Sequence, residues 1–220
     1  MSAPYSPLDK LNLGRSVAAA LLNGPVIPLV DTADLIGAGV YGIYYTGAFD
    51  AYRPVAAKNK DGKFDQPIYV GKAVPKGARK GGLSFDASQG RPLRDRLRIH
   101  ANSIDSVDNL RLDDFHYRAL VVDDIWIPLG ENMLIEKFRP IWNLVIDGFG
   151  NKTPGARRET QYRSAWDVLH PGRKGFENLA SGGITAEALV VRVKEFFEGK
   201  AVPQIPIEEA ADEGITDGQE

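Results

Sequence analysis

The sequence predicts an α+β fold in which a small antiparallel three-stranded sheet is flanked by helices, with elaborations at both ends. Three short runs rich in β-branched and aromatic residues, at 39–47, 67–73 and 115–122, have the composition of strands. Amphipathic stretches with helical spacing precede, separate and follow them. We expect a single domain over residues 1–202 and a disordered acidic tail over 203–220.

The first two strands each carry a tyrosine beside a glycine. They read GVYGIYY at 39–45 and IYVGKA at 68–73. Because side chains alternate between the faces of a strand, Tyr41, Ile43 and Tyr45 should share one face, and hairpin pairing would let Tyr41 meet Tyr69. The segment 50–66 between the strands is too long for a tight turn, and its polar run at 58–63 predicts a long loop.

Two helices follow the second strand. The first begins near Arg91 with Pro92 in its first turn, and it places Arg96 and His100 one above the other on one face. The second, over 129–139, carries Glu131 just before its apolar stripe and ends at Pro140.

The two ends of the chain add further predicted elements. Residues 17–22 are apolar and predict a helix that stops at 23–25, and 185–198 predict a helix with Leu189, Val190, Val193 and Phe197 on one stripe. Glycines in 146–155 indicate an ordered loop, and 166–175 read as irregular.

Composition excludes several classes of protein. The chain has no cysteine, so disulfides, thiolate metal sites and cysteine nucleophiles are excluded. No apolar run approaches the length of about 18 residues that a membrane span needs, and no secretory signal is evident, so we expect a cytoplasmic protein.

The net charge of −2 hides a local basic character. Residues 203–220 hold six carboxylates and no Lys or Arg, and without them 27 basic and 23 acidic residues remain. Positive charge concentrates in 72–98, with eight basic and two acidic residues, and in 150–175, with six and two. Such local patches are the electrostatic footprint of a nucleic-acid site, although charge runs are also common on solvated faces.

Taken in order, five short motifs resemble the GIY-YIG nuclease superfamily. They are Gly-Val-Tyr at 39–41, Tyr-Val-Gly-Lys at 69–72, Arg-x-x-x-His at 96–100, Glu-x-x-Leu-Ile at 131–135 and Pro-x-x-Asn at 140–143, within a catalytic core of about 37–146. The stretches 146–156 and 166–173 are similar to small GIY-YIG type II restriction endonucleases that cut GC-rich palindromes, notably CCGCGG. The resemblance therefore spans nearly the whole chain.

The resemblance implies catalytic roles for seven side chains. Tyr41 and Tyr69 would be the catalytic phenols, and Arg96 would stabilise charge on the scissile phosphate. The base that activates water stays open between Tyr41, His100 and Lys72. Glu131 would hold one Mg²⁺ per active site, with Mn²⁺ as a substitute. The full catalytic set is Tyr41, Tyr69, Lys72, Arg96, His100, Glu131 and Asn143.

Simpler structural explanations exist for the same residues. The tyrosines could pack in the core, Glu131 could stabilise the start of its helix through the dipole, and Asn143 could cap a helix end. Aligning the first motif on Gly42-Ile43-Tyr44 instead would place Thr46 where the family has an aliphatic residue.

Double-stranded DNA is the implied partner, with no membrane involved. Direct reading of G·C pairs uses Arg or Lys in the major groove, and phosphate contact is the competing role for each basic residue. We expect DNA contacts from Lys76, Arg79, Lys80, Arg94, Arg98, Lys152, Arg157 and Arg158. A palindromic site further implies a homodimer, with the N-terminal helix, 50–66 and 185–198 free to form its interface.

The leading functional hypothesis is a Mg²⁺-dependent type II restriction endonuclease of a restriction–modification system. A structure-selective repair or recombination nuclease is the first alternative, but such enzymes usually append a DNA-binding domain for which 220 residues leave little room. A non-catalytic DNA-binding protein on the same fold is the second alternative, and the retention of every motif position argues against it.

Overall fold

A computed structural model describes residues 9–74, 90–151, 162–176 and 179–201. Within these ranges the chain forms one antiparallel sheet of four strands in the order β1-β4-β2-β3. The strands are β1 (Ile27–Pro28), β2 (Gly39–Tyr45), β3 (Pro67–Ala73) and β4 (Phe115–Val121).

The helices lie on both sides of this sheet. They are α1 (Lys10–Asn23), α2 (Arg53–Asn59), α3 (Pro92–Asp105), α4 (Ile127–Phe138), α5 (Ile141–Leu144), α6 (Ala165–Leu169) and α7 (Ala186–Phe197) in the described ranges. The α+β class and the three longer strands are confirmed. The sheet has a fourth strand because β1 pairs with the edge of β4, and two residues that include a proline carry no alternating pattern from which to predict a strand.

Strand β2 lies between β3 and β4 and separates two apolar clusters. Tyr41, Ile43 and Tyr45 face the larger cluster, which also contains Leu97 on α3, so their predicted common face is confirmed. Val40 faces the smaller cluster, which α1 and α4 cover. Every residue of β2 is buried, because the strand has a neighbour on each edge and a packed layer on each face.

The long loop predicted for 50–66 between β2 and β3 is wrong for 50–59 and confirmed for 60–66. This connection contains a 3-10 turn (Asp50–Tyr52) and α2, whose Val55 and Ala56 are buried. Asn59 is the last residue of α2, and its buried side chain donates to the Tyr45 carbonyl at 3.0 Å and to the Gln66 carbonyl at 2.8 Å. The helix has only seven residues, too few to display a helical stripe in the sequence.

Helices α3 and α4 form as predicted, with small shifts at their ends. Leu93, Leu97 and His100 are buried along the expected stripe of α3. Helix α4 begins two residues earlier than predicted, so Glu131 lies beyond its first turn. The helix dipole acts mainly within the first turn, which weakens the purely structural explanation of Glu131.

Towards the C-terminus, the segment 166–175, predicted to be irregular, contains all but the first residue of helix α6. Ser164 caps this helix by accepting from the Asp167 amide, a signal too short to stand out in the sequence. Helix α7 forms as predicted, with Thr185 as its cap and Leu189 and Val193 buried, but Val190 of the predicted stripe is exposed because it lies off the packed face. The predicted tail at 203–220 lies outside the described residues. Among the described helices, none has the length and apolar character of a membrane span.

Candidate active site

The site is centred on a hydrogen bond between a phenol and an imidazole. The Tyr41 hydroxyl in β2 lies 2.7 Å from Nε2 of His100 in α3, and both side chains are fully buried. Tyr41 reaches α3 because it lies on the face of β2 against which this helix packs. His100 faces the sheet because it continues the buried stripe of Leu93 and Leu97.

Tyr69 joins this pair from the neighbouring strand. In the pairing of β2 with β3, Tyr41 lies opposite Gly71 and Ile43 lies opposite Tyr69, so the two tyrosines are diagonal neighbours on one face. Their ring centroids are 6.3 Å apart, and the Tyr69 ring is 5.2 Å from that of His100. The predicted meeting of the two phenols is confirmed.

Gly71 makes room for the Tyr41 phenol. A Cβ at position 71 would lie 2.6 Å from Cζ of Tyr41 and 2.9 Å from Cε1 of Tyr69, distances that real side chains do not adopt. The glycine of the second motif is thus required by the tyrosine of the first motif. This contact explains physically why the two short motifs occur together.

Arg96 connects the two phenols. It lies one helical turn before His100 and is partly buried. Burial raises the pKa of Tyr41 and of Tyr69, and the charge of Arg96 opposes that rise in both, so the guanidinium lies close to both phenols. Its guanidinium is therefore a fixed positive charge beside the Tyr41–His100 pair. The predicted alignment of Arg96 and His100 on one helix face is confirmed.

Burial keeps the Tyr41–His100 pair uncharged near neutral pH. Burial raises the pKa of Tyr41 well above its usual value, and the neighbouring Tyr69 raises it further against the opposing charge of Arg96. Burial, helped by the charges of Arg96 and Arg173, lowers the pKa of His100 well below its usual value. The proton therefore rests on the phenol, and the neutral imidazole is free to accept it.

An ion pair lies at the edge of the site. Nζ of Lys72, two residues beyond Val70 on β3, is 2.8 Å from Oε2 of Glu131 on α4. The charge of Glu131 raises the pKa of both Tyr41 and Tyr69, so the carboxylate lies close to both phenols. The Glu131 side chain is 16 % exposed and that of Lys72 is 40 % exposed, so solvent reaches the site from this side.

The side-chain amide of Asn143 binds the backbone of β3. Its Nδ2 donates to the Val70 carbonyl and its Oδ1 accepts from the Val70 amide, both at 2.8 Å. It therefore binds the outer edge of β3 beside Gly71 rather than capping a helix end. The catalytic role of Asn143 that the family resemblance implies stays a prediction.

The other predicted DNA contacts divide into two groups. Arg94 and Arg98 lie off the buried face of α3: Arg94 contacts the exposed Asp95 at 3.3 Å, and Arg98 is exposed. The remaining six, Lys76, Arg79, Lys80, Lys152, Arg157 and Arg158, lie outside the described residues.

Three residues near the site, Phe149, Asp167 and Arg173, were not assigned a role from the sequence. Phe149 stacks on His100 with 4.4 Å between ring centroids. Asp167 and Arg173 form a buried ion pair, with the guanidinium 5.1 Å from the ring centroid of Trp166. A charged pair spaced six residues apart gives no sign in the sequence that both partners are buried.

A match to a protein-family model covers residues 33–197. The family is described as the Eco29kI GIY-YIG domain, a restriction endonuclease family. The chain belongs to this family of GIY-YIG restriction endonucleases. The match contains every motif residue described above and extends through α6 and α7, so the segments after the five motifs are part of the family domain. A comparison with curated proteins gave no match.

In this GIY-YIG site, Glu131 supplies the carboxylate that a divalent metal ion would bind. No cluster of three or more His, Asp or Glu side chains suited to a metal ion occurs within the described ranges. Mg²⁺ is commonly held by one or two carboxylates together with substrate oxygens and waters. The partly exposed Glu131 carboxylate beside the phenols fits such a site, provided that Lys72 gives up Oε2.

The register of the first motif can be tested with two tyrosines of β2. Tyr44 lies outside the cluster around Tyr41, with the Arg118 guanidinium 5.1 Å from its ring centroid. We expect Tyr41→Phe to lower the single-turnover cleavage rate by about 100-fold or more, because it removes a proton carrier. Tyr44→Phe should cut DNA near the wild-type rate, and the reverse order would show that Tyr44 is the motif tyrosine.

Proposed function

We propose that this chain is a type II restriction endonuclease that hydrolyses double-stranded DNA at a GC-rich palindrome with the help of Mg²⁺. The resemblance favours CCGCGG as the site. Membership of the GIY-YIG restriction endonucleases supports the restriction-type nuclease activity. The observation that carries the mechanism is the 2.7 Å contact between the Tyr41 hydroxyl and His100, with Arg96 beside it.

The first proposed step is activation of water by Tyr41 and His100. The water oxygen attacks phosphorus and passes a proton to the phenol oxygen, while the phenol proton moves to Nε2 of His100. The lowered pKa of His100 keeps the imidazole neutral and ready to accept at neutral pH. This route uses the Tyr41–His100 pair as the base, because the 2.7 Å contact gives the phenol proton a defined acceptor.

The second proposed element is stabilisation of negative charge by Arg96. As the P–O bond to the leaving sugar oxygen breaks, charge accumulates on the non-bridging oxygens and on the leaving oxygen. A guanidinium can bind two such oxygens at once, which a lysine could not copy. The guanidinium already lies close to Tyr41 and Tyr69 before substrate arrives, because its charge acts on the pKa of both phenols.

The third proposed element is a Mg²⁺ ion at Glu131, for which Mn²⁺ can substitute. When bound, such an ion offsets charge on the phosphate and on the leaving oxygen. Glu131 would hold it, and Lys72 would move from Oε2 towards the phosphate. One ion for each active site is consistent with the single carboxylate among the described residues near the phenols.

The proposed biological setting is a cytoplasmic restriction–modification system, in which a methyltransferase protects the same sites. The exposed Arg98 and its neighbour Arg94 are suited to contact with the DNA backbone. Base reading would then depend on other basic residues of the chain.

The function is tested by digestion of DNA that contains every GC-rich hexamer. We expect discrete fragments with Mg²⁺ or Mn²⁺ and none with a chelator, because a single cationic side chain does not replace the metal. Denatured protein is the control for contaminating nuclease. Intact DNA in both metals would refute the proposal, and a smear would indicate a nuclease without a defined site.

A Glu131→Gln variant tests the metal ligand. We expect the cleavage rate to fall by at least about 100-fold while specific binding to the duplex is retained, because the amide keeps the shape and loses the charge. Glu136→Gln, an exposed position on the same helix, is the matched control and should cut normally. Near wild-type cutting by Glu131→Gln would exclude Glu131 as the ligand.

We also propose that the protein acts as a homodimer on its palindrome. Each chain carries one Glu131 and one Arg96, enough for one phosphate, and two copies related by the DNA dyad would cut both strands. Of the regions free to form the interface, α7 exposes Val190 by 39 % and Val191 by 54 %.

The dimer is tested on a duplex with one site. We expect a protein–DNA complex with the mass of two chains, and cleavage of both strands without accumulation of a nicked intermediate. Light scattering gives the mass, and denaturing gels with each strand labelled give the kinetics. A one-chain complex that accumulates nicked DNA would contradict the dimer.

A further inference from the structure

His100 is oriented by packing rather than by a second hydrogen bond. Its Nε2 contacts Tyr41, whereas its Nδ1 is buried without a hydrogen-bond partner among the described residues. A functional histidine is usually fixed by a hydrogen bond at the nitrogen that does not react. Here the Phe149 ring stacks on the imidazole at 4.4 Å and 19°, and Gly150 lies against its Cε1–Nδ1 edge.

Phe149 and Gly150 belong to a turn that approaches the imidazole closely. Gly148 and Gly150 have φ values of 93° and 78°, and the Asn151 amide donates to the Gly148 carbonyl at 3.2 Å. A Cβ at position 150 would lie 2.9 Å from Nδ1 of His100 and closer still to Cε1. The turn contacts the ring only because position 150 lacks a side chain.

Arg173 holds the end of this turn. Its Nη1 donates to the Asn151 carbonyl at 3.0 Å, and its Nε and Nη2 donate to the Asp167 carboxylate at 2.8 and 2.7 Å. The Ser164 hydroxyl donates to the same carboxylate at 2.6 Å. The guanidinium also lies 3.8 Å from the ring centroid of Phe176, so its direction is fixed on several sides.

The ion pair is almost inaccessible to solvent, with side-chain exposures of 2 % for Asp167 and 7 % for Arg173. Burying two charges carries a large desolvation cost, so a buried pair is weak evidence for a stabilising role. The geometric effect of the pair is that the Arg173 guanidinium joins Asp167 of α6 to the turn beside the imidazole. Burial and the charge of Arg96, followed by that of Arg173, lower the pKa of His100.

We propose that Asp167 and Arg173 are positioning residues for His100. Through the Asn151 carbonyl, Arg173 keeps the turn at 148–151 pressed against the imidazole. This packing orients the imidazole so that Nε2 faces the Tyr41 hydroxyl, without a hydrogen bond at Nδ1. This inference rests on the proposed function, in which His100 accepts a proton from Tyr41.

The protein contains a matched control for this proposal. Tyr52 and His170 form a second buried pair, also with 2.7 Å between the hydroxyl and Nε2. Nδ1 of His170 is bound by Asn109 at 2.8 Å, so this imidazole has partners at both nitrogens. Tyr52→Phe removes a comparable buried hydrogen bond from the same aromatic cluster without contacting the turn.

The proposal is tested by nitrogen-15 NMR of the imidazoles in the full chain, combined with single-turnover cleavage. The protein has three histidines, and His100→Gln identifies the signals of His100 by their loss. We expect Arg173→Lys and Phe149→Leu each to shift or broaden the His100 signals. Both variants should slow cleavage by roughly 10- to 100-fold, the cost of displacing a reacting group by about 1 Å, while duplex binding is retained.

Tyr52→Phe separates positioning from general stability. It should lower the melting temperature and shift the His170 signals, but leave the His100 signals and the cleavage rate unchanged. Arg173→Lys keeps the charge and loses the planar fork, so a purely electrostatic role would spare this variant and contradict positioning.

The outcomes are distinguishable from failure of the proposed function. Folded Arg173→Lys and Phe149→Leu proteins with wild-type His100 signals would overturn the positioning role. If Arg173→Lys does not give a cooperative melt, Phe149→Leu decides the question. If the wild-type chain cuts no DNA, the proposed function fails, while the NMR spectra still test how the imidazole is held.

Discussion

Burial of the Tyr41 hydroxyl against His100 is the interaction on which the rest of the site depends. A phenol and an imidazole in a low-dielectric interior both stay neutral, so the proton between them has a defined resting place. The fold accepts this pair only because Gly71 leaves room for the phenol on one side and Gly150 leaves room for the imidazole on the other. The contact between these two neutral groups thus depends on close packing on both of its sides.

The Tyr52–His170 pair has the same short phenol–imidazole contact as the Tyr41–His100 pair but different electrostatic surroundings. Both pairs have the same 2.7 Å separation and both are buried. His170 has Asn109 at its other nitrogen, and burial lowers its pKa to about 3. Around Tyr41, by contrast, a guanidinium and a carboxylate lie within electrostatic reach. Perturbed groups become candidates for function when charged partners and access to solvent accompany the perturbation.

The candidate active site could be predicted from the sequence where it depends on local periodicity. Alternation along β2 and β3 places Tyr41 and Tyr69 on one face, and a spacing of four aligns Arg96 with His100. The family resemblance added Glu131. The contacts of Asn143 with Val70 and of Arg173 with Asn151 could not be predicted, because they join segments whose separation in the sequence carries no periodic signal. Helix α2 was missed because seven residues display no stripe, and its buried contacts come from tertiary packing.

The position of the site at the edge of the sheet follows from opposing requirements of burial and access. Tyr41 and His100 are fully buried, Tyr69 and Arg96 are partly exposed, and Lys72 on β3 is the most accessible. Among the described residues, the accessible side of the site therefore lies along β3, the strand at the end of the sheet. Such an edge would normally expose unpaired backbone groups to other chains. Asn143 occupies the outward amide and carbonyl of Val70, closing the edge just before the site, and Lys72 leaves a charged side chain where the edge stays open. The same strand thus carries a protected edge and an accessible reaction centre, separated by the single glycine that admits the phenol.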